Sequence, residues 1–189
     1  MIQTAELMEI RWHGRGGQGA VTSAELLARA AIAEGKYAQA FPSFGPERRG
    51  APVLAFDRIS KTQPIRVRAE ITEPDVVIIL DFGLISIVNV TAGLKDDGII
   101  VVNTKRSPEE AAAEFGNKWK VATVDATGIA HEILKVNIVN TTMIGALLKA
   151  THVVDMESLI QPLNDRFGRL AERNANTMKK AYDDTRIKE

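Results

Sequence analysis

PDVVIILD, Pro74 to Asp81, places Val76, Val77, Ile78, Ile79 and Leu80 in one unbroken apolar run. A strand of that composition has no polar face to give to water. It suits a parallel sheet covered by helices on both sides. GIIVVN, Gly98 to Asn103, repeats the pattern after a stretch, Leu84 to Leu94, that predicts a helix. WKVATVDA, Trp119 to Ala126, follows a helix opened by SPEE. There Ser107 is a cap, Pro108 suits the first helical position, and Glu109 and Glu110 complement the positive end of the helix. Strands alternating with helices predict an α/β fold with an open, mostly parallel sheet, flanking helices and right-handed crossovers.

The flanking segments extend this plan. LMEIRWH, Leu7 to His13, predicts a strand that runs into GRGGQG, and an Ala- and Leu-rich helix begins at about Gln18 and closes on Gly35. KYAQAFPS, Lys36 to Ser43, predicts a second strand, ended by the breakers of FGPERRGAP. VLAFDRIS and PIRVRAE alternate apolar and polar residues around KTQ, which predicts an antiparallel hairpin near residues 53–70. Beyond residue 126 the chain reads as a helical C-terminal region. There Leu159, Ile160, Leu163 and Phe167 share a face, and Pro162 kinks or shortens the helix. No repeat or linker divides the 189 residues, so one domain, 1–189, is expected.

Composition excludes several chemistries. The chain has no cysteine, hence no disulfide, thiolate nucleophile or Cys-held iron–sulfur cluster. Its 24 basic residues balance 24 acidic ones, which supplies no global field for nucleic acid or an anionic membrane. No stretch approaches the roughly 20 apolar residues of a bilayer span. A soluble cytoplasmic protein without nucleic-acid or membrane partners is expected.

Two loops carry the functional signal. In RWHGRGGQG, Gly14, Gly16 and Gly19 satisfy G-x-G-x-x-G between a strand and a helix, a setting in which backbone amides and a helix N-terminus can approach phosphate. A nicotinamide dinucleotide site also wants an acidic residue about 20 positions on, at the end of the second strand. Here that region is KYAQAFPSFG, with no carboxylate before Glu47, and no Gly-Lys-Ser/Thr marks a P-loop. Tight packing, an anion contact and NAD binding by a stand-alone oxidoreductase all remain open for the glycines.

SFGPERRGAP puts Arg48 and Arg49 in a proline-stiffened loop, where guanidinium groups can grip phosphate or carboxylate. From Ser43 to Arg68 six basic residues face two acidic ones, a local charge of +4. Phe41 and Phe44 beside the arginines give the apolar and cationic mixture of an interface. Other residues yield less. His13, His131 and His152 share no ligand spacing; Asp81 at a strand end either faces a ligand or caps the next turn. No catalytic set and no metal site is identified.

GRGGQG, FPSFGPERRGAPV followed by DRIS, PDVVIILD and NTTMIGALLKAT together resemble the gamma subunits of pyruvate:ferredoxin oxidoreductase and its 2-oxoacid relatives. The resemblance covers the chain from about residue 7 to its helical end. It implies a complex in which a 2-oxoacid, pyruvate foremost, is oxidatively decarboxylated on thiamine diphosphate. Electrons then pass through iron–sulfur clusters to ferredoxin, and the acyl group passes to coenzyme A. It also implies alpha, beta and delta-type partner subunits that hold the thiamine diphosphate, Mg and clusters, none of which this chain is expected to bind alone. On this basis Gly14, Arg15, Gly16, Gly17, Gln18, Gly19, Arg48 and Arg49 are expected to contribute to a cofactor site for coenzyme A or thiamine diphosphate. Ser43, Phe44, Gly45, Pro46, Glu47 and Gly50 are expected at a subunit interface, the two loops lying together at the carboxyl edge of the sheet. Asn140, Met143 and Gly145 match the later motif, with Asn140 as a helix cap and Gly145 as a close-packing residue.

Overall fold

The computed structural model describes residues 6–43 and 50–188. One seven-stranded sheet runs β2-β3-β1-β4-β5-β6-β7. Its strands are β1 (Leu7–Arg15), β2 (Tyr37–Pro42), β3 (Pro52–Ser60), β4 (Val76–Ile79), β5 (Ile99–Asn103), β6 (Lys120–Val124) and β7 (Arg186–Lys188). β1, β4, β5 and β6 form a parallel centre. β3 joins β1 and β2 antiparallel, and β7 joins β6 antiparallel. The α/β expectation holds, with five of the seven strands pointing one way.

The buried runs behave as their composition requires. Val76 to Ile79 and Ile99 to Val102 are nearly inaccessible on both faces. One face packs against the helices α1 (Ala20–Ala33), α3 (Ala126–Leu134), α4 (Asn140–Thr151) and α6 (Ala171–Asp184), with Ile10, Trp12, Ile78 and Val101 contributed by the sheet. The other packs against α2 (Pro108–Glu114) and the segment around Leu84, Val90 and Leu94. Ser107 caps α2 as expected, in a reciprocal box with Glu110.

Three expectations are corrected. The hairpin of residues 53–70 does not form: both edges of β3 are taken, by β1 and β2, and Pro64 has no N–H for a ladder. Residues 64–70 instead run without regular structure, tied to β2 and β3 where Gln39 Nε2 donates to Ile65 O (3.0 Å) and Arg58 Nη1 to Val67 O (3.3 Å). The helix expected over Leu84 to Leu94 shrinks to a 3-10 turn, Phe82–Ser86, because Ile85, Ile87, Val88, Val90 and Thr91 are β-branched and resist helical packing. The last helical stretch breaks into α5 (Ile160–Phe167) and α6 at Gly168, whose φ is +51°. Leu159 and Leu163 are buried while Ile160 faces outward, and Pro162 falls in the first turn of α5.

Asp57, inside β3, is fully buried. Its Oδ2 accepts Trp12 Nε1–H at 2.7 Å and its Oδ1 has no partner among the described residues. Burial pushes the carboxyl well above its ordinary range. The unfolded chain ionises this group near pH 4 while the folded chain keeps the proton, so its contribution to stability falls as pH rises from about 4 to the folded value. Asp57→Asn removes that ionisation. Relative to wild type, the variant's urea midpoint should gain steadily above pH 4; a pH-independent difference would show that the carboxyl is ionised in the fold.

Candidate functional site

The chain leaves β1 through α1 towards β2, and leaves β4 in the other direction towards β5. The crevice at the carboxyl ends of β1 and β4 is therefore a topological switch point, where open α/β sheets receive ligands. The glycine loop lies there. Gly14 and Arg15 end β1, and Gly19, at φ +87°, occupies the cap position of α1.

The turn is held from several sides. Arg15 N donates to Gln18 Oε1 (2.7 Å), and Gln18 N donates to Arg15 O (3.0 Å). Gly16 N donates to Ala51 O (3.0 Å), and Gly50 N donates to Gly16 O (3.3 Å). Ser43 N donates to Leu54 O (3.0 Å), beside the end of β1. Gly50, one described end of the arginine loop, thus meets the glycine loop at the carboxyl edge, and Ser43, the other, pairs with β3. Phe44, Gly45, Pro46, Glu47, Arg48 and Arg49 lie outside the described residues.

Asp81 serves as both cap and clamp. Its Oδ1 accepts Gly83 N at 2.8 Å; its Oδ2 accepts Arg15 Nε at 2.7 Å and Gln18 Nε2 at 3.3 Å. Arg15 Nη1 also donates to Gly50 O at 3.3 Å. One carboxylate therefore ties the glycine loop across the switch point to the end of β4.

A cavity of about 390 Å³ opens beside the loop, lined by Arg15, Gly16, Gly19, Thr22, Asn140 and Arg166 among others. Gly19 is required for close approach as well as for its positive φ: a Cβ there would lie 2.9 Å from Asn140 Cβ. α1 has no side-chain cap and no acidic residue in its first turn, so its positive end is not offset by the helix's own side chains. Arg166, which donates to Thr22 Oγ1 at 3.5 Å, brings a second guanidinium. Nothing in the sequence marks Arg166; only the packing of α5 on α1 delivers it. A helix N-terminus and the Arg166 guanidinium, beside an Arg15 already paired with Asp81, make this cavity suited to an anion such as phosphate.

The dinucleotide reading loses its frame. In that fold a parallel strand beside β1 ends on the ribose-binding acid. Here antiparallel β3 occupies the place beside β1, and β2 lies one strand further out. Asn140 is the first residue of α4 rather than its cap, its Oδ1 accepting Thr141 N at 2.8 Å. Met143 is core, and a Cβ on Gly145 would lie 2.0 Å from Met178 O, so the close-packing role holds. No group of three His, Asp or Glu residues able to hold a metal occurs among the described residues. None of their helices is long and apolar enough to cross a membrane.

The family model for pyruvate ferredoxin/flavodoxin oxidoreductase matches residues 9–184. The chain belongs to that family. It is 54% identical over 183 residues to the pyruvate/ketoisovalerate oxidoreductases common subunit gamma of Pyrococcus furiosus, covering 96% of this chain and 98% of the relative. It is 51% identical over 180 residues to the pyruvate synthase subunit PorC of Methanothermobacter thermautotrophicus, covering 94% and 96%. The crystal structure of the pyruvate oxidoreductase subunit PORC of Thermotoga maritima superimposes with a TM-score of 0.87 at 37% identity, covering 98% of this chain and all of that one. The resemblance carried by GRGGQG and SFGPERRG is thus a true membership, and the match runs through the loops as well as the core.

Proposed function

We propose that this pyruvate ferredoxin/flavodoxin oxidoreductase family chain is the gamma-type subunit of a 2-oxoacid:ferredoxin oxidoreductase, with pyruvate as the foremost substrate, and that residues 1–189 act as one domain. The reaction oxidises the 2-oxoacid with loss of CO2, reduces ferredoxin and forms acyl-coenzyme A. The alignment of nearly the whole chain with gamma and PorC subunits carries this reading. The chain's own composition agrees: with no cysteine it cannot ligate a cluster through thiolate. Thiamine diphosphate, Mg and the clusters then belong to the alpha, beta and delta-type subunits, and ferredoxin is met through the complex in the cytoplasm.

Within that assembly the anion-suited cavity of the glycine loop holds the phosphate end of coenzyme A. Amides at the start of α1, with Arg15, Arg166, Arg48 and Arg49, bind and orient the phosphates, while Ser43 to Gly50 face the thiamine-bearing subunit. The chain contributes position and charge and no catalytic residue.

Arg48→Ala with Arg49→Ala, and separately Arg166→Ala, tests this in the reconstituted complex. Each should raise KM for coenzyme A by about tenfold, the worth of one charge-assisted contact of about 1.4 kcal/mol, with subunit assembly intact. Lowered assembly with unchanged KM would assign the arginine loop to intersubunit ion pairs alone. Measurable binding of NADH by the full chain would favour a stand-alone oxidoreductase instead.

A further inference from the structure

Arg11 and His13 stand side by side on β1, on the sheet face away from Ile10 and Trp12. Arg11 is only 6% exposed. Its Nε donates to His13 Nε2 at 3.1 Å, and its Nη2 donates to Val90 O at 3.0 Å and Ala92 O at 2.6 Å. Every one of these acceptors is neutral. Burial, reinforced by the Arg11 charge, pushes His13 down to about 3, so the imidazole is uncharged at neutral pH, and its accepting Nε2 leaves the proton on Nδ1.

Arg11 therefore carries a buried positive charge without a carboxylate in ion-pair distance among the described residues. A guanidinium has five N–H donors, and the two on Nη1 have no acceptor among those residues. Burying a charge on neutral dipoles alone is unfavourable, so the arrangement favours an anion wherever one can reach.

One can reach. Arg11 and His13 line a cavity of about 460 Å³ whose remaining wall is mostly apolar, including Leu54, Leu84 and Val88, with Ser43 and Asn89 as polar groups. That volume is in the range of small-molecule pockets, and a single cation on an apolar wall selects a ligand with one anionic end and a hydrocarbon body. It is a different cavity from the one beside α1, although Val53 lines both and Gly14 and Ser43 of the two loops line this one.

We propose that this cavity binds a small organic monocarboxylate, with the carboxylate on Arg11 and the apolar body against Leu54, Leu84 and Val88. Titration calorimetry on the full chain with isovalerate and phenylacetate tests it, with isovaleramide as the uncharged analogue. The two acids should bind and the amide should bind at least tenfold more weakly. Arg11→Met should abolish acid binding. Ala92→Phe starts from an exposed position on the cavity wall and leaves Arg11 in place, so it should weaken binding tenfold even if Arg11→Met fails to fold. Equal binding of acid and amide, or acid binding that survives either substitution, overturns the proposal. So does acid binding seen only in Glu47→Gln, which would make the occupant the chain's own carboxylate. No acid binding by the wild-type chain, together with Arg11→Met or Ala92→Phe blocking assembly with the sister subunits, would assign Arg11 to a partner's side chain and overturn it equally.

Discussion

Gly145→Ala should destabilise the chain by about 3 kcal/mol, and Gly145→Val should prevent folding of a domain of ordinary stability. A Cβ at Gly145 meets the Met178 carbonyl at 2.0 Å and its carbonyl carbon at 2.8 Å. These are main-chain atoms of α6, so no rotamer change relieves the clash and the two helices must separate. Separation uncovers Met143, Ile144, Leu147 and Met178, all at the centre of the larger core. Gly116→Ala is the control: its φ is +69° and a Cβ there meets open space, so it should cost only about 1 kcal/mol of backbone strain. Urea denaturation of the three proteins decides the matter. Equal losses for the two alanine variants would mean that α4 and α6 are not held at this distance in solution.

The second large effect is expected at Asp81. Asp81→Ala removes three hydrogen bonds together and leaves Arg15 and Gln18 without their shared acceptor. The side chains of Arg15 and Asp81 are 29% and 27% exposed, so water recovers part of the loss, and a cost of about 2 kcal/mol is expected. The local effect should be larger than the global one: amides of Gly16 to Gly19 should exchange faster with solvent, and the proposed coenzyme A role adds a rise in KM for coenzyme A in the assembled enzyme. Asp81→Asn retains an acceptor for Gly83 N while losing the charge, and should fall between. Unchanged exchange in Asp81→Ala would show that the pairing of Gly16 with Gly50 and Ala51 holds the turn unaided.

The parallel centre of the sheet was legible because a strand buried on both faces must be apolar throughout, and PDVVIILD and GIIVVN are. The strand–turn–helix at GRGGQG and the capped start of α2 were legible because their determinants are local. The partner of β3 was not. PIRVRAE alternates as an edge strand does, yet alternation says nothing about whether an edge is vacant, and β2 and β1 had taken both. Residues 84–94 lie where strand–helix alternation places a helix, but their five β-branched residues oppose one. β7 escaped notice because three residues carry no periodicity. At the site, Asp81 suggested two roles, and the structure supplies the capping one together with a clamp on Arg15. Arg166 and the unpaired charge of Arg11 depend on contacts between distant segments, Arg11 reaching carbonyls about 80 positions away.

The glycine loop and the far end of the arginine loop are joined main chain to main chain, through Gly16 with Ala51 and Gly50 with Gly16. Such bonds are indifferent to side-chain identity. Replacing the side chain of Ala51 therefore leaves its carbonyl available to Gly16 N, so the joint is set by the path of the main chain rather than by what that residue carries.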